Sequence, residues 1–368
     1  MIGMPAPSLI HPTDDGLHCA EGGFHLDPWR PVERAVVTHA HSDHASPGCG
    51  SYLCSEECEP VLRLRIGASA SINAVPFGRD LDVGGVRVSL HPAGHILGSA
   101  QVRVERRLST DAAAGPVGEV AVFTGDFKDV PDRTCTPFEP VRCHTLIMES
   151  TFALPVYRWP SQDSVFAEIN AWWRANRDAG RTSLVFAYAL GKAQRVLAGL
   201  DPSIGPIGAH GSVRRMNFGY AARGVALPET RPAAGAAVKA LQGVGLIVAP
   251  PSANGSTWAR KLGGREGVST AFVSGWMMVR GSRRRRAVDR GFVLSDHADW
   301  PGLLRAIDDS GAERVGVTHG FSDTLVRWLG HHGRDAYIVP SRYEGERTEN
   351  DDPAPEPDDP RPAPEASP

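Results

Sequence analysis

Thr38-His39-Ala40-His41-Ser42-Asp43-His44 is the stretch on which the fold turns. Three imidazoles and a carboxylate crowd together directly after the apolar run Ala35-Val36-Val37. Imidazole and carboxylate are the ligands of zinc and related first-row ions. On an extended loop alternate residues face the same way, so His39 and His41 can share one ion while Asp43 and His44 turn towards a second. The bland alternative is a surface histidine cluster, such as a pH-sensing loop. Partners further along the chain decide between the two.

Other short apolar runs end in the same manner. Val86, Val88 and Leu90 alternate before Gly94-His95, and Val120 to Phe123 leads to Gly125-Asp126. Leu146-Ile147-Met148 leads to Glu149, Phe292-Val293-Leu294 precedes His297, and Val315-Gly316-Val317 precedes His319. Chemically active side chains just beyond strand ends share one edge of a sheet, which is how layered α/β enzymes assemble sites. His95, Asp126 and His319 each sit beside a glycine, which permits a tight turn at the strand end. A lone histidine is as often structural as functional; their joint occurrence favours a site.

A separate block lies between Glu149 and His297. Gln162 to Ala179 reads as a helix, with Val165, Ile169, Trp172 and Trp173 near helical spacing. Thr182 to Ala187 reads as a strand, Gly191 to Leu200 as a helix carrying Lys192, Gln194 and Arg195, and Leu246–Val248 and Ala271–Val273 as buried strands. Alternating strands and helices predict a small α/β unit. Site residues on both sides of it make it an insertion. The expected organisation is 1–161 and 288–340 as two parts of one domain, 162–287 inserted, and 341–368 a tail.

The 368 residues suffice for two domains, and 41% hydrophobic with 22% charged residues is ordinary for a globular protein. No apolar run reaches the roughly 18 residues that would suggest a membrane helix, and Met1 to Pro12 lacks the pattern of a secretory signal. A cytoplasmic location is the expectation. The six cysteines form no repeated C-x-x-C pair, so reduced thiols are expected. The net charge of −3 hides an asymmetry. Ser341 to Pro368 is rich in Pro, Glu and Asp and is expected to be disordered; without it the body is mildly basic, which suits a polyanionic substrate.

The order His39-x-His41-x-Asp43-His44, Gly94-His95, Gly125-Asp126 resembles the metallo-β-lactamase superfamily. Glu149-Ser150-Thr151-Phe152, Ser295-Asp296-His297 and Thr318-His319-Gly320 resemble three further motifs of its β-CASP nucleases, and Ala189 to Arg195 looks like the segment opening the β-CASP domain. The strings at 147–160 (IMESTFALPVYRWP), 249–253 (APPSA) and 274–300 resemble the bacterial DNA ligase-associated exonuclease family. The resemblance covers about residues 10 to 340 and departs from the pattern at Ala153, where glycine is expected.

The resemblance implies an αββα sandwich with an inserted α/β domain, two divalent ions (zinc, or else manganese), and hydrolysis of phosphodiesters. His39, His41 and His95 would hold one ion, Asp43, His44 and His319 the other, with Asp126 bridging. Two such ions can clamp both the attacking and leaving oxygens of a phosphodiester. Asp43 and Asp126 thereby belong to the catalytic set, and Glu149 with His297 would serve the leaving group, His297 as proton donor, or else only position ligands. Arg280, Arg283, Arg284, Arg285 and Arg286 are expected to contact phosphates, extended by Lys192 and Arg195, since arginine forks suit phosphate oxygens; a solvated charged face is the alternative. Trp159, Trp258 and Trp276 could stack on bases or pack in the core. The expected activity is a DNA exonuclease that trims ends before ligation, with a ligase and a helicase as partners and no membrane. An RNA-processing nuclease is the alternative; an inactive scaffold and a small-molecule hydrolase rank below it.

Overall fold

A computed structural model describes residues 8–106, 118–263, 266–279 and 287–342. Its strands form three sheets. The first follows chain order through His11–Thr13, Gly16–Cys19, Phe24–Leu26, Arg34–Val36, Ser51–Ser55 and Ile72–Val75. In the second the spatial order is Asp335–Ile338, Arg314–Thr318, Thr145–Glu149, Val120–Phe123, Ala100–Arg106, Val86–Pro92 and Leu81–Val83.

Period-two alternation explains how these sheets stack. Ala121 and Phe123 face one core with Val88, Leu90, Val102, Leu26 and Val36, so the first two sheets pack face to face. Val120 and Val122 face the opposite way, against Leu303, Ile307, Leu325 and Leu329 of helices Trp300–Ser310 and Ser322–His331. The outer side of the first sheet packs on Val61 and Leu62 of helix Glu59–Ile66. The layers therefore run helix, sheet, sheet, helix.

The third sheet is all parallel, in the order Arg231–Pro232, Ile207–Ala209, Leu246–Ala249, Thr182–Phe186, Val268–Val273, Arg290–Phe292. Parallel sheets are covered on both faces. Here Leu246 and Val248 meet Ile169 and Trp173 of helix Gln162–Asp178 on one side, and Ile247 and Ala249 meet Leu241 and Leu262 on the other. The chain leaves the second sheet after Glu149 and rejoins it at Arg314. The strand before His297 is Arg290–Phe292 and pairs with Val268–Val273 in the third sheet. The boundary expected at 287/288 thus falls ahead of a strand that belongs to this sheet. Most of the acidic tail, 343–368, lies outside the described residues. Ala153 has none of the positive φ that would require glycine, so alanine fits the turn.

Candidate metal centre

His39, His95 and Asp126 follow strand ends, Glu149 closes the strand Thr145–Glu149, and His319 directly follows Arg314–Thr318. Gly125, at φ 56°, turns the chain into Asp126; a Cβ there would lie 2.6 Å from the Thr38 side chain. The result is a buried knot of ring nitrogens. His39 Nε2 and His95 Nε2 lie 3.1 and 3.2 Å from His41 Nδ1. Asp126 Oδ2 lies 3.7, 3.8 and 3.4 Å from the Nε2 atoms of His39, His95 and His44.

The outer nitrogens decide what the inner ones can do. His41 Nε2 donates to Leu190 O at 3.1 Å, His95 Nδ1 to Asp296 O at 2.9 Å, and His44 Nδ1 to Asp27 Oδ2 at 2.7 Å. Those oxygens only accept, so the proton sits on the outer nitrogen. At His39 the outer partner is the Thr38 hydroxyl, 3.0 Å away, which itself donates to Asp27 Oδ2 and so accepts from Nδ1. His39, His41 and His95, kept neutral by burial, are each left with an inner lone pair facing their neighbours and Asp126. Lone pairs and a carboxylate converging in a dry site repel one another unless a cation stands between them. Two buried atoms in this knot, His44 Nε2 and Asp126 Oδ1, have no hydrogen-bond partner among the described residues. The residues fit metal ions.

Three candidate ligand groups share Asp126: His39, His41, His95 and Asp126; His44, Asp126 and His319; and Asp126, Glu149 and His297, the last taken up by the Glu149–His297 ion pair. Asp43 Oδ2 stands 3.5 Å from His44 Nε2, with its side chain 38% exposed. Burial holds the pKa of His39, His41 and His95 down, which keeps those rings neutral and able to ligate. At His44 burial works the same way, but the carboxylates of Asp43, Asp126 and Asp27 outweigh it and raise the pKa well above its ordinary value. An excess of carboxylate around this half of the site attracts positive charge. His319 has φ 55°, a conformation few non-glycine residues adopt, with its carbonyl bonded to Ser150 Oγ.

Glu149 and His297 form a pair beside the knot. Both Glu149 carboxylate oxygens lie on His297 Nδ1, at 2.7 and 2.9 Å. Burial disfavours charge on His297, yet Glu149 and Asp126 push its pKa up to about 10. Trp159 Nε1 donates to the His297 carbonyl at 2.9 Å and Trp276 packs on Phe152 at 4.7 Å, so both serve the packing around His297. Trp258 Nε1 is bonded to Ala233 O.

Lys192 and Arg195 require a correction. Each is 1% exposed. Lys192 Nζ lies 3.1 Å from Asp296 Oδ1 and Arg195 Nε 3.0 Å from Asp132 Oδ2. Neither offers its charge to a substrate at the surface, because buried cations are retained where a buried carboxylate neutralises them. Arg280, Arg283, Arg284, Arg285 and Arg286 lie outside the described residues. Two functional positions escape a reading of the sequence. Asp27 orients His44 and accepts from both Thr38 N and Thr38 Oγ1, and Asp296 supplies the carbonyl that holds His95. Asp27 follows the strand Phe24–Leu26 directly, the same signal that marks the others.

No protein-family model matches the chain. Among curated proteins it is similar to a "Probable DNA ligase" of Opitutus terrae, 32% identical over 328 residues, 88% of this chain and 30% of that protein. It is also similar to "Endoribonuclease YSH1" of Yarrowia lipolytica, 27% identical over 231 residues, 51% of this chain and 26% of that one. "DNA cross-link repair 1A protein" of Mus musculus is 27% identical over 172 residues, 45% of this chain and 16% of that one. The chain spans less than a third of the length of each of these relatives. Taking the motif order, the knot of imidazoles around Asp126 and these relatives together, the chain belongs to the metallo-β-lactamase superfamily, in its β-CASP branch.

Proposed function

We propose that this protein is a two-metal phosphodiesterase acting on nucleic acid, and within that class a DNA exonuclease that trims ends before ligation. The observation that carries the chemistry is that the histidine groups His39, His41, His95 and His44, His319 meet at Asp126. His39, His41 and His95 would hold one divalent ion and Asp43, His44 and His319 the other, with Asp126 between them. Zinc suits the imidazole-rich set, and manganese is the second choice. Such a pair of ions supplies Lewis acidity towards a phosphodiester and a nucleophile at neutral pH.

The chain's own groups do the rest. Glu149 holds Nδ1 of His297, which leaves Nε2 as the nitrogen able to pass a proton to the departing alkoxide. The buried Phe152, Tyr157 and partly buried Trp159 and Trp276 wall His297 on one side and limit water there. Arg280 and Arg283 to Arg286 are the residues we assign to backbone phosphates, a contact that would weaken steeply with salt.

DNA is preferred to RNA because the match covering 88% of the chain is to a protein named as a DNA ligase, whereas the endoribonuclease match covers 51%. A relative carrying both the ligase name and a segment like this chain holds the two in one polypeptide, at high effective concentration. By that logic this chain works beside a ligase; a helicase partner rests on the sequence resemblance.

The test is incubation of purified protein with matched single-stranded DNA and RNA, labelled at either end, with zinc or manganese, beside an Asp126→Ala control. Progressive shortening of DNA alone, absent in the control, supports the exonuclease reading and shows its polarity. Preferential cutting of RNA moves the protein to the alternative, an RNA-processing nuclease. Cleavage of neither would discard the nuclease proposal in favour of a small-molecule hydrolase or an inactive scaffold.

A further inference from the structure

Two of the imidazoles in the knot are held from far along the chain. His41 donates to the carbonyl of Leu190, which lies in the segment leading into helix Lys192–Ala198. Gly191 allows that approach: it has φ 86°, and a Cβ there would collide with Ile96. His95 donates to the carbonyl of Asp296, and Asp296 is itself fixed by Lys192. Arg195 completes the frame. Its guanidinium donates to Ser295 O at 2.7 Å and to His95 O at 2.9 Å while pairing with Asp132. One short helix thus ties together a ligand, the carbonyl that orients that ligand, and the segment bearing His297.

We propose that Lys192 and Arg195 are positioning residues, which seat this helix so that His41 and His95 keep the tautomer and direction that the first ion requires. The inference rests on the metal reading proposed above. Its physical basis is that a ligating imidazole is oriented by the acceptor on its far nitrogen, and that losing such an acceptor weakens metal binding about 10–100-fold. Leu190 and Asp296 contribute through backbone carbonyls, which no substitution deletes; only the side chains that seat those carbonyls can be changed. Arginine is the residue for the task at 195, because its three partners are met by three separate nitrogens of one planar fork, which the single nitrogen of an ammonium cannot span.

The measurement is competition of the purified full chain with a zinc chelator, together with the visible spectrum of the cobalt-loaded protein, for the wild type and Arg195→Lys. The expected result is two ions in the wild type, and in the variant one ion bound as before with the other weakened about 10–100-fold. The cobalt spectrum should change for the weakened ion alone. If Arg195→Lys is too unstable to purify, the double variant Lys192→Met with Asp296→Asn removes one buried charge of each sign and is expected to show the same selective loss. Unchanged affinity for both ions in either folded variant overturns the positioning role and leaves the metal reading standing. A wild type that binds no ion under the same competition overturns the metal reading itself.

Discussion

The two halves of the metal knot are built on opposite electrostatic plans. Around His39, His41 and His95 the outer acceptors are a hydroxyl and two backbone carbonyls, all neutral, and the rings are buried. Around His44 and His319 the neighbours are carboxylates: Asp27 on the far nitrogen, and Asp43 and Asp126 near the inner one. That half also opens outward, onto a cleft lined by Trp29, Asp43, His44, Phe123 and His319. The first half is buried and framed by the third-sheet segment; the second is richer in carboxylate and opens to solvent. A divalent ion in the first would be held mainly by geometry. In the second, charge would do more of the work, and exchange with solvent would be easier.

Asp126→Ala should damage both halves at once, because Asp126 belongs to both candidate ligand groups. Losing Lewis acidity worth several kcal/mol should lower kcat/KM at least about 10³-fold, and metal analysis should show both ions weakened. Retention of one ion at full affinity would mean that Asp126 does not bridge. Next is His297→Ala, which lies outside both halves. Loss of a general acid should slow DNA cleavage about 10²-fold or more, while an aryl phosphodiester with a good leaving group is cleaved nearly as before. Equal losses on both substrates would reduce His297 to a positioning role.

Asp27→Asn is the mirror of Arg195→Lys. It removes the carboxylate behind His44 and should weaken the ion of the acidic half about 10–100-fold, with a smaller loss at the other because Asp27 also fixes the Thr38 hydroxyl that orients His39, as read by chelator competition. If Asp27→Asn weakens the first ion as much as the second, the division into halves is wrong. The mildest expected effect is kinetic. With limiting chelator the wild type should lose its ions in two phases, the faster belonging to the solvent-open half and quickened further by Asp43→Ala. A single phase in both proteins would show the halves to be one cooperative site.

Much of this architecture is legible in the amino-acid order alone. The apolar runs ending in His39, Asp126, Glu149 and His319 are strands or lead directly into the site, and alternation within them, such as Val120 and Val122 against Ala121 and Phe123, already separates two cores. Helix Gln162–Asp178 falls within a residue of its expected span, and its N-cap Ser161 accepts from Ser164 N. The apolar run expected before His297, Phe292 to Leu294, meets the strand Arg290–Phe292 only at Phe292, and that strand's membership of the third sheet is not legible, since pairing partners are not a local property.

The inventory of candidate ligands is a property of the sequence, because metal chemistry depends on residue type and strand-end placement depends on local apolar pattern. Which group neutralises or orients which is a property of the packed molecule. Lys192 and Arg195 look like surface cations in sequence, yet they are buried on Asp296 and Asp132. The acceptor for His41 lies 149 residues away and the acceptors for Arg195 include one 100 residues away. A charge's partner is set by the dielectric and geometry of the packed interior, and neither exists until distant segments have been brought together.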